Sequence, residues 1–274
     1  MNARAPSPRW LAAVLLSLAA LCGSAQAAPD LDTVLAGAQR SAENRARDVY
    51  RHPAQTLGFF GIEPDMVVVE LWPGQGWYTE ILAPWLRANG KLYAAHFPAD
   101  STAEYYQRGL AAFRQKLAAD PAVYDRVVLT ELGPPEKVAI APAGSADAVL
   151  TFRNMHNWWG QGTDAQVMQA AFAALKPGGV LGIVEHRAAP GATAEQVKNS
   201  GYMTEEMVIA AAQAAGFVLE AKSEINANPR DTKDYPKGVW TLPPRLALGE
   251  QDRAKYLAIG ESDRMTLRFR KPAK

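Results

Sequence analysis

Three short stretches of this chain hold the residue types that chemistry needs. In Arg153-Asn154-Met155-His156-Asn157-Trp158-Trp159, an amide and an imidazole follow the apolar run that begins at Asp147. In Glu185-His186-Arg187, a carboxylate and a second imidazole close the apolar run from Val180. Histidine titrates near working pH, so His156 is a candidate general base, with Asn154, Glu185 and His186 as candidate partners. Polar side chains gathered where apolar runs stop are unusual for simple packing. Plainer uses exist: His156 bonded to a neighbouring loop, Glu185 and His186 capping a strand. The third stretch, residues 66–82, begins with Val67 to Val69 and the carboxylate Glu70. It turns at Pro73, Gly74 and Gly76, then spaces Tyr78, Ile81, Leu82, Trp85 and Leu86 as on a helix. Strand, glycine loop and helix place free N–H groups and a positive helix end beside a sheet edge, which suits an anionic group on a nucleotide-like cofactor. Glu70 would fix the loop or accept hydrogen bonds from the ligand.

The elements that must position these residues alternate. Strands are predicted over Val67–Glu70, Lys91–Phe97, Arg126–Leu132, Asp147–Arg153, Val180–His186, Phe217–Ile225 and Met265–Arg270. Helices are predicted over Pro53–Phe60, the stretch after the glycine loop, Thr102–Ala119, Asp164–Leu175 and Glu205–Ala215, with one outer helix within 30–49. Lys176-Pro177-Gly178-Gly179 reads as a stop before strand five. This alternation implies an α/β fold, a mostly parallel sheet between helical layers. No helix separates the last two strands, so strand seven pairs antiparallel beside strand six. Residues 227–262, inserted between them, are then expected over the carboxyl edge of the sheet, as a lid or as a packed flap.

Composition bounds the rest. The chain has 274 residues, 48% of them hydrophobic and 21% charged, enough for one large domain with a sizeable core. A net charge of +1 with no dense basic run argues against nucleic acid as a partner. Residues 1–27 read as a cleavable Sec-type signal peptide: Arg4 and Arg9, the apolar run Trp10–Cys22, then Ala25-Gln26-Ala27 before the cut. The run is too short to span a bilayer, which takes about 20 residues, so no stable membrane insertion follows cleavage. The domain is then 28–274, periplasmic or secreted, and it lacks cysteine, which excludes disulfides and thiol chemistry.

Taken together, these motifs resemble class I S-adenosylmethionine (SAM)-dependent methyltransferases. The order Glu-x-x-x-Gly-x-Gly after strand one, Lys-Pro-Gly-Gly before strand five and a terminal strand pair carries the resemblance. Stretches 47–53, 72–82, 150–158, 222–229, 238–244 and 256–265 are similar to an exported bacterial subgroup of predicted methyltransferases. The resemblance implies a Rossmann-like seven-stranded, mostly parallel sheet with helices on both faces and an antiparallel last strand. It implies SAM as cofactor, a small-molecule substrate, and a cofactor site of Glu70, Trp72, Gly74, Gly76, Tyr78 and His96. Its strand order makes strands one, four and five neighbours, gathering Glu70, Asn154, His156, Glu185 and His186 in one crevice. Trp72, Trp77, Tyr78, Trp158 and Trp159 would form an aromatic set around it.

Two positions depart from the family pattern. Trp72 stands where the loop's first glycine is usual, so its indole either stacks on a ligand or fills the pocket. His96 stands where an acid usually binds the ribose hydroxyls. Export raises a further tension, because SAM is made in the cytosol. Two rivals therefore stand beside methyl transfer. One is a periplasmic ligand-binding protein that kept the fold and lost the reaction. The other is a metal-assisted enzyme with Asn154, His156, Glu185 and His186 as ligands, although no compact ligand motif supports a divalent metal.

Overall fold

The computed structural model describes residues 1–2 and 29–273. The predicted signal peptide and its cleavage point after Ala27 lie outside the described residues. Seven strands form one sheet: β1 Val67–Leu71, β2 Lys91–His96, β3 Val128–Glu131, β4 Ala146–Phe152, β5 Leu175–His186, β6 Val218–Ser223 and β7 Arg264–Arg270. Their order is β3-β2-β1-β4-β5-β7-β6. β1 to β5 run parallel, and β7 runs antiparallel between β5 and β6. The expected fold class therefore holds. Strand order reverses between β1 and β4, and a crevice opens at such a switch point.

The helices are α1 Leu31–Ala36, α2 Ala42–Arg45, α3 Asp48–Arg51, α4 Pro53–Phe60, α5 Thr79–Leu86, α6 Glu104–Ala119, α7 Pro121–Tyr124, α8 Met155–Gln161, α9 Asp164–Ala174, α10 Ala194–Val197, α11 Glu205–Ala214 and α12 Arg253–Ile259. Alternation along the buried strands sends one set of side chains to each face. Val69, Leu71, Val149, Leu181, Ile183, Leu267 and Phe269 meet α9 and α11 on one side. Val68, Leu150, Phe152 and Val184 meet α4 and α5 on the other.

Two sequence expectations change. The single outer helix within 30–49 is three short ones. Gly37 ends α1, the Ser41 side chain caps α2 by accepting from Asn44 N, and Arg40 turns inward between them. Arg40 is held there by two bonds to Asp48, at 2.6 and 2.7 Å. Local caps therefore beat a weak apolar stripe. Strand five begins earlier than expected. Leu175 pairs with Ala146 and Val180 with Ala148, so Lys176 to Gly179 loop out of the ladder as an irregularity instead of ending it. The insert is packed and partly regular. It holds a 3-10 turn, Gly238–Thr241, and α12. Val239 and Leu242 are buried. Val239 N donates to Ser200 O at 2.8 Å. Asp231 accepts from Asp263 N at 2.7 Å and from the Tyr202 hydroxyl at 3.1 Å.

Candidate active site at the carboxyl ends of β1, β4 and β5

β4 delivers Arg153 and Asn154 to the crevice, and α8 follows at once. Asn154 Nδ2 donates to Leu71 O at 3.1 Å and to Trp72 O at 3.2 Å. Its amide thus ties the end of β4 to the end of β1. In the first turn of α8, His156 reaches Glu185 at the end of β5. The His156 ring Nδ1 lies 3.1 Å from Glu185 Oε1, and its backbone N donates to Oε2 at 3.2 Å. Glu185 Oε1 also accepts from His186 N at 2.7 Å. Glu185 is completely buried, so it must be held by such donors. The bond network assigns the His156 proton to Nδ1 and leaves the Nε2 lone pair free, the geometry of an oriented general base.

His186 points to the opposite face and meets β7 and the insert. Its Nδ1 shares a 2.6 Å hydrogen bond with Ser262 Oγ. Burial, then the charges of His156, Arg264, Arg153 and Arg51, push its pKa well below the usual imidazole value. His186 is therefore neutral at working pH. The two imidazoles lie 5.5 Å apart, and the Trp240 ring from the insert lies 6.0 Å from His156. The insert thus covers this end of the sheet. Ligand atoms of His156, Glu185 and His186 fall within 4.8 Å of one another, close enough to share a cation.

The other half of the crevice is built differently. Trp72 has φ +45°, a left-handed conformation that is rare for an aromatic residue. Its indole is 7% exposed and its Nε1 donates to Leu132 O at 2.9 Å. Phe97, Trp158 and Tyr106 surround it at 4.8, 5.2 and 5.4 Å between ring centres. Those partners follow β2, lie on α8 and lie on α6. The indole therefore packs among side chains that follow β2 and lie on α8 and α6. His96 is fully buried, with Nε2 3.0 Å from Gly74 O and Nδ1 accepting from Phe97 N at 2.8 Å. Both ring nitrogens are spent on the chain itself, and burial lowers its pKa. Glu70 turns to α5, where it accepts from Thr79 Oγ1 at 2.6 Å. Burial raises its pKa to about 7, against the Thr79 bond and Arg153. Its place is that of a loop-fixing acid. Gly74 and Gly76 have φ +61° and +81°, and a Cβ on Gly74 would meet nothing within 4 Å. The loop thus has room beside Gly74, while Trp72 is packed into the core next to it.

The expected aromatic set divides between two cores. Trp72 and Trp158 lie in one, Trp77 and Tyr78 in the other. Tyr78 stacks on Phe152 at 3.5 Å, and Trp77 Nε1 donates to Asn44 O at 3.0 Å. Alternation of strand faces separates residues that are close in sequence. The structure also adds residues that sequence reasoning missed: Ser262, Arg51, Arg153, Glu261 and Arg264. Arg153 directly precedes Asn154, and that adjacency was its only signal.

No family model and no curated protein matches this chain. Solved structures do, at low identity. A SAM-dependent methyltransferase from Aquifex aeolicus matches with 14% identity and TM-score 0.53, over 82% of this chain and 93% of that one. A sarcosine dimethylglycine methyltransferase homologue from Galdieria sulphuraria gives 12% identity and TM-score 0.56, over 86% and 89%. The (4+2)-cyclase SpnF gives 16% identity and TM-score 0.56, over 87% and 85%. At such identities the likeness establishes architecture: the chain carries the fold of class I SAM-dependent methyltransferases.

Proposed function

We propose that this protein transfers a methyl group from SAM to a small molecule held at the ends of β4 and β5, with His156 as the base. The observation that supports this reading is the His156–Glu185 pair beside a glycine loop, at the switch point of a methyltransferase fold. Glu185 orients the ring and stabilises charge on it, so Nε2 accepts a proton from an acceptor hydroxyl or amine. SAM, when bound, supplies the methyl group. The chain's own part is alignment of the acceptor and a place for its proton. Export through a Sec-type signal, with a periplasmic or secreted mature domain, belongs to the same proposal.

A second reading is favoured by one specific feature, the locked indole. Displacing a buried Trp costs about 3–5 kcal/mol, which would weaken a micromolar ligand to the millimolar range. A ligand-binding protein that kept the fold and lost transfer would tolerate such a lock. The similarity to a cyclase also fits a fold that hosts more than one reaction.

Calorimetry with SAM and S-adenosylhomocysteine separates the two. Trp72→Gly suits the left-handed backbone and empties the slot, so it is expected to bind SAM about a hundredfold more tightly than the parent. His156→Ala is expected to lower SAM turnover with a small-molecule extract as acceptor by about 10²–10⁴-fold, with SAM affinity unchanged. Heat from neither the parent nor Trp72→Gly ends the methyl-transfer reading and leaves the binding one.

A further inference from the structure

Behind His186 lies a cluster with too much positive charge. Arg47, Arg51 and Arg264 all converge on one carboxylate, Glu261, with Arg47 Nε at 2.5 Å and Arg51 Nε at 3.1 Å. Burial pushes the Glu261 carboxyl up, but Arg264, Arg51 and Arg47 overcome it and hold it below its usual range. One anion cannot satisfy three guanidinium groups. Arg51 is 3% exposed, and its Nη1 has no partner; Arg264 is 1% exposed, and its Nε has none either.

Arg153 joins this group, near enough to Glu261 to feel its charge but without an ion pair to it. Among the described residues it has no ion pair and its side chain donates no hydrogen bond. Burial and Arg264 together lower its pKa to about 10. Its place is fixed by the fold. Arg153 follows Phe152, which stacks on Tyr78, and the Tyr78 hydroxyl donates to Arg51 O at 3.4 Å. Arg264 stands directly opposite His186 in the β5–β7 ladder. The neighbouring acids are engaged elsewhere: Glu70 with Thr79, Glu185 with His156, and Asp263 with Arg187 and Lys233. Arg153 also has φ +64°, backbone strain of the kind that collects at binding sites. A cavity of about 430 Å³, large enough for a small organic ligand, is lined by Tyr50, His52, Asn226, Arg230, Glu261 and Ser262; it touches the cluster through Glu261, while Arg51, Arg153 and Arg264 are not on its wall.

We propose that Arg153, with Arg51 and Arg264, binds an oxyanion group, a carboxylate or a phosphate, on the small molecule that the His156 site acts upon. Guanidinium forks bind two oxygens of such anions at once, and like charges that share a single counter-ion repel one another. An anion would supply the acceptors that Arg153 and Arg51 lack. This deepens the functional reading by naming a substrate class, and it rests on that reading only for the site's location.

The test is calorimetric titration of the purified protein with inorganic phosphate and, separately, with succinate, in the absence of SAM. Saturable binding of at least one is expected. Arg153→Asn should weaken it about tenfold or more, and Arg153→Lys by less, because Lys keeps the charge and loses the fork. Asn tolerates the left-handed backbone, so an unchanged melting temperature will separate lost binding from lost folding. Arg270→Gln, on β7 and paired with Glu220 at the surface, should leave binding unchanged. Phosphate alone binding points to phosphorylated ligands, succinate alone to carboxylates. No binding of either by the parent, or equal binding by Arg153→Asn, overturns the proposal. Because SAM is absent, a failed SAM titration leaves this result standing.

Discussion

Trp72 follows β1 and Arg153 follows β4, the two parallel strands at the switch point. Each continues the ladder by one bond: Trp72 N donates to Ala95 O at 2.8 Å and Arg153 N to Val184 O at 2.7 Å. Each then turns with a positive φ. From there the two sides part. The indole finds a carbonyl and three aromatic rings, so its half of the crevice is closed and satisfied. The guanidinium finds other arginines that share the single carboxylate Glu261, so its half keeps unpaired donors, such as Arg51 Nη1, next to a base. Internal satisfaction marks structural work, and unmet polar capacity marks a place for a ligand. The proposed chemistry therefore lies on the β4–β5–β7 side, while the glycine loop sits on the β1–β2 side.

This contrast can be broken from either half. The largest effect is expected from Trp72→Ala, which leaves a hole among Phe97, Tyr106 and Trp158 and should cost about 3–5 kcal/mol in denaturant unfolding. A loss under 1 kcal/mol, within the range of ordinary surface changes, would mean that the indole is a loose gate and not core. Next is Glu261→Gln. Removing the one carboxylate that three arginines share should cost about 3 kcal/mol, and added phosphate should recover part of it if the cluster accepts anions.

A third measurement sharpens the closed half. Glu70 has a folded pKa of about 7, raised from 4.5. The folded state therefore binds more protons than the unfolded one between these values, and stability falls as pH rises through that window. Glu70→Gln should flatten this slope and raise stability above pH 7 by up to about 3 kcal/mol. A slope that persists in Glu70→Gln would assign it to another group. The smallest effect is Arg153→Gly, which relieves the left-handed strain and removes a half-buried cation; about 1 kcal/mol of stabilisation is expected in thermal melts.

Much of the scaffold was legible from residue order. Val67 to Val69 before Glu70, and the paired glycines after it, marked the β1–loop–α5 unit; the missing helix before β7 marked its antiparallel insertion. The pairing of His156 with Glu185 followed from where two apolar runs stop. What local pattern could not carry was the direction of side chains after the strands ended. Tyr78 and Trp72 are six residues apart but belong to opposite faces of the sheet. The run at 30–49 was misjudged as one helix because inward ion pairing by Arg40 leaves no periodic signal. Arg51, Arg153 and Arg264 read as ordinary charged residues until folding placed them around one carboxylate.

By itself, then, the order of residues determined the alternating elements, the strand that returns antiparallel, and the acid, amide and imidazoles at the strand ends, because hydrophobic period and turn chemistry are local properties. Only the tertiary structure decided that the indole at 72 is packed into the core and that three arginines from distant segments share Glu261. Burial and charge compensation depend on every neighbour in space, and no window of sequence contains those neighbours.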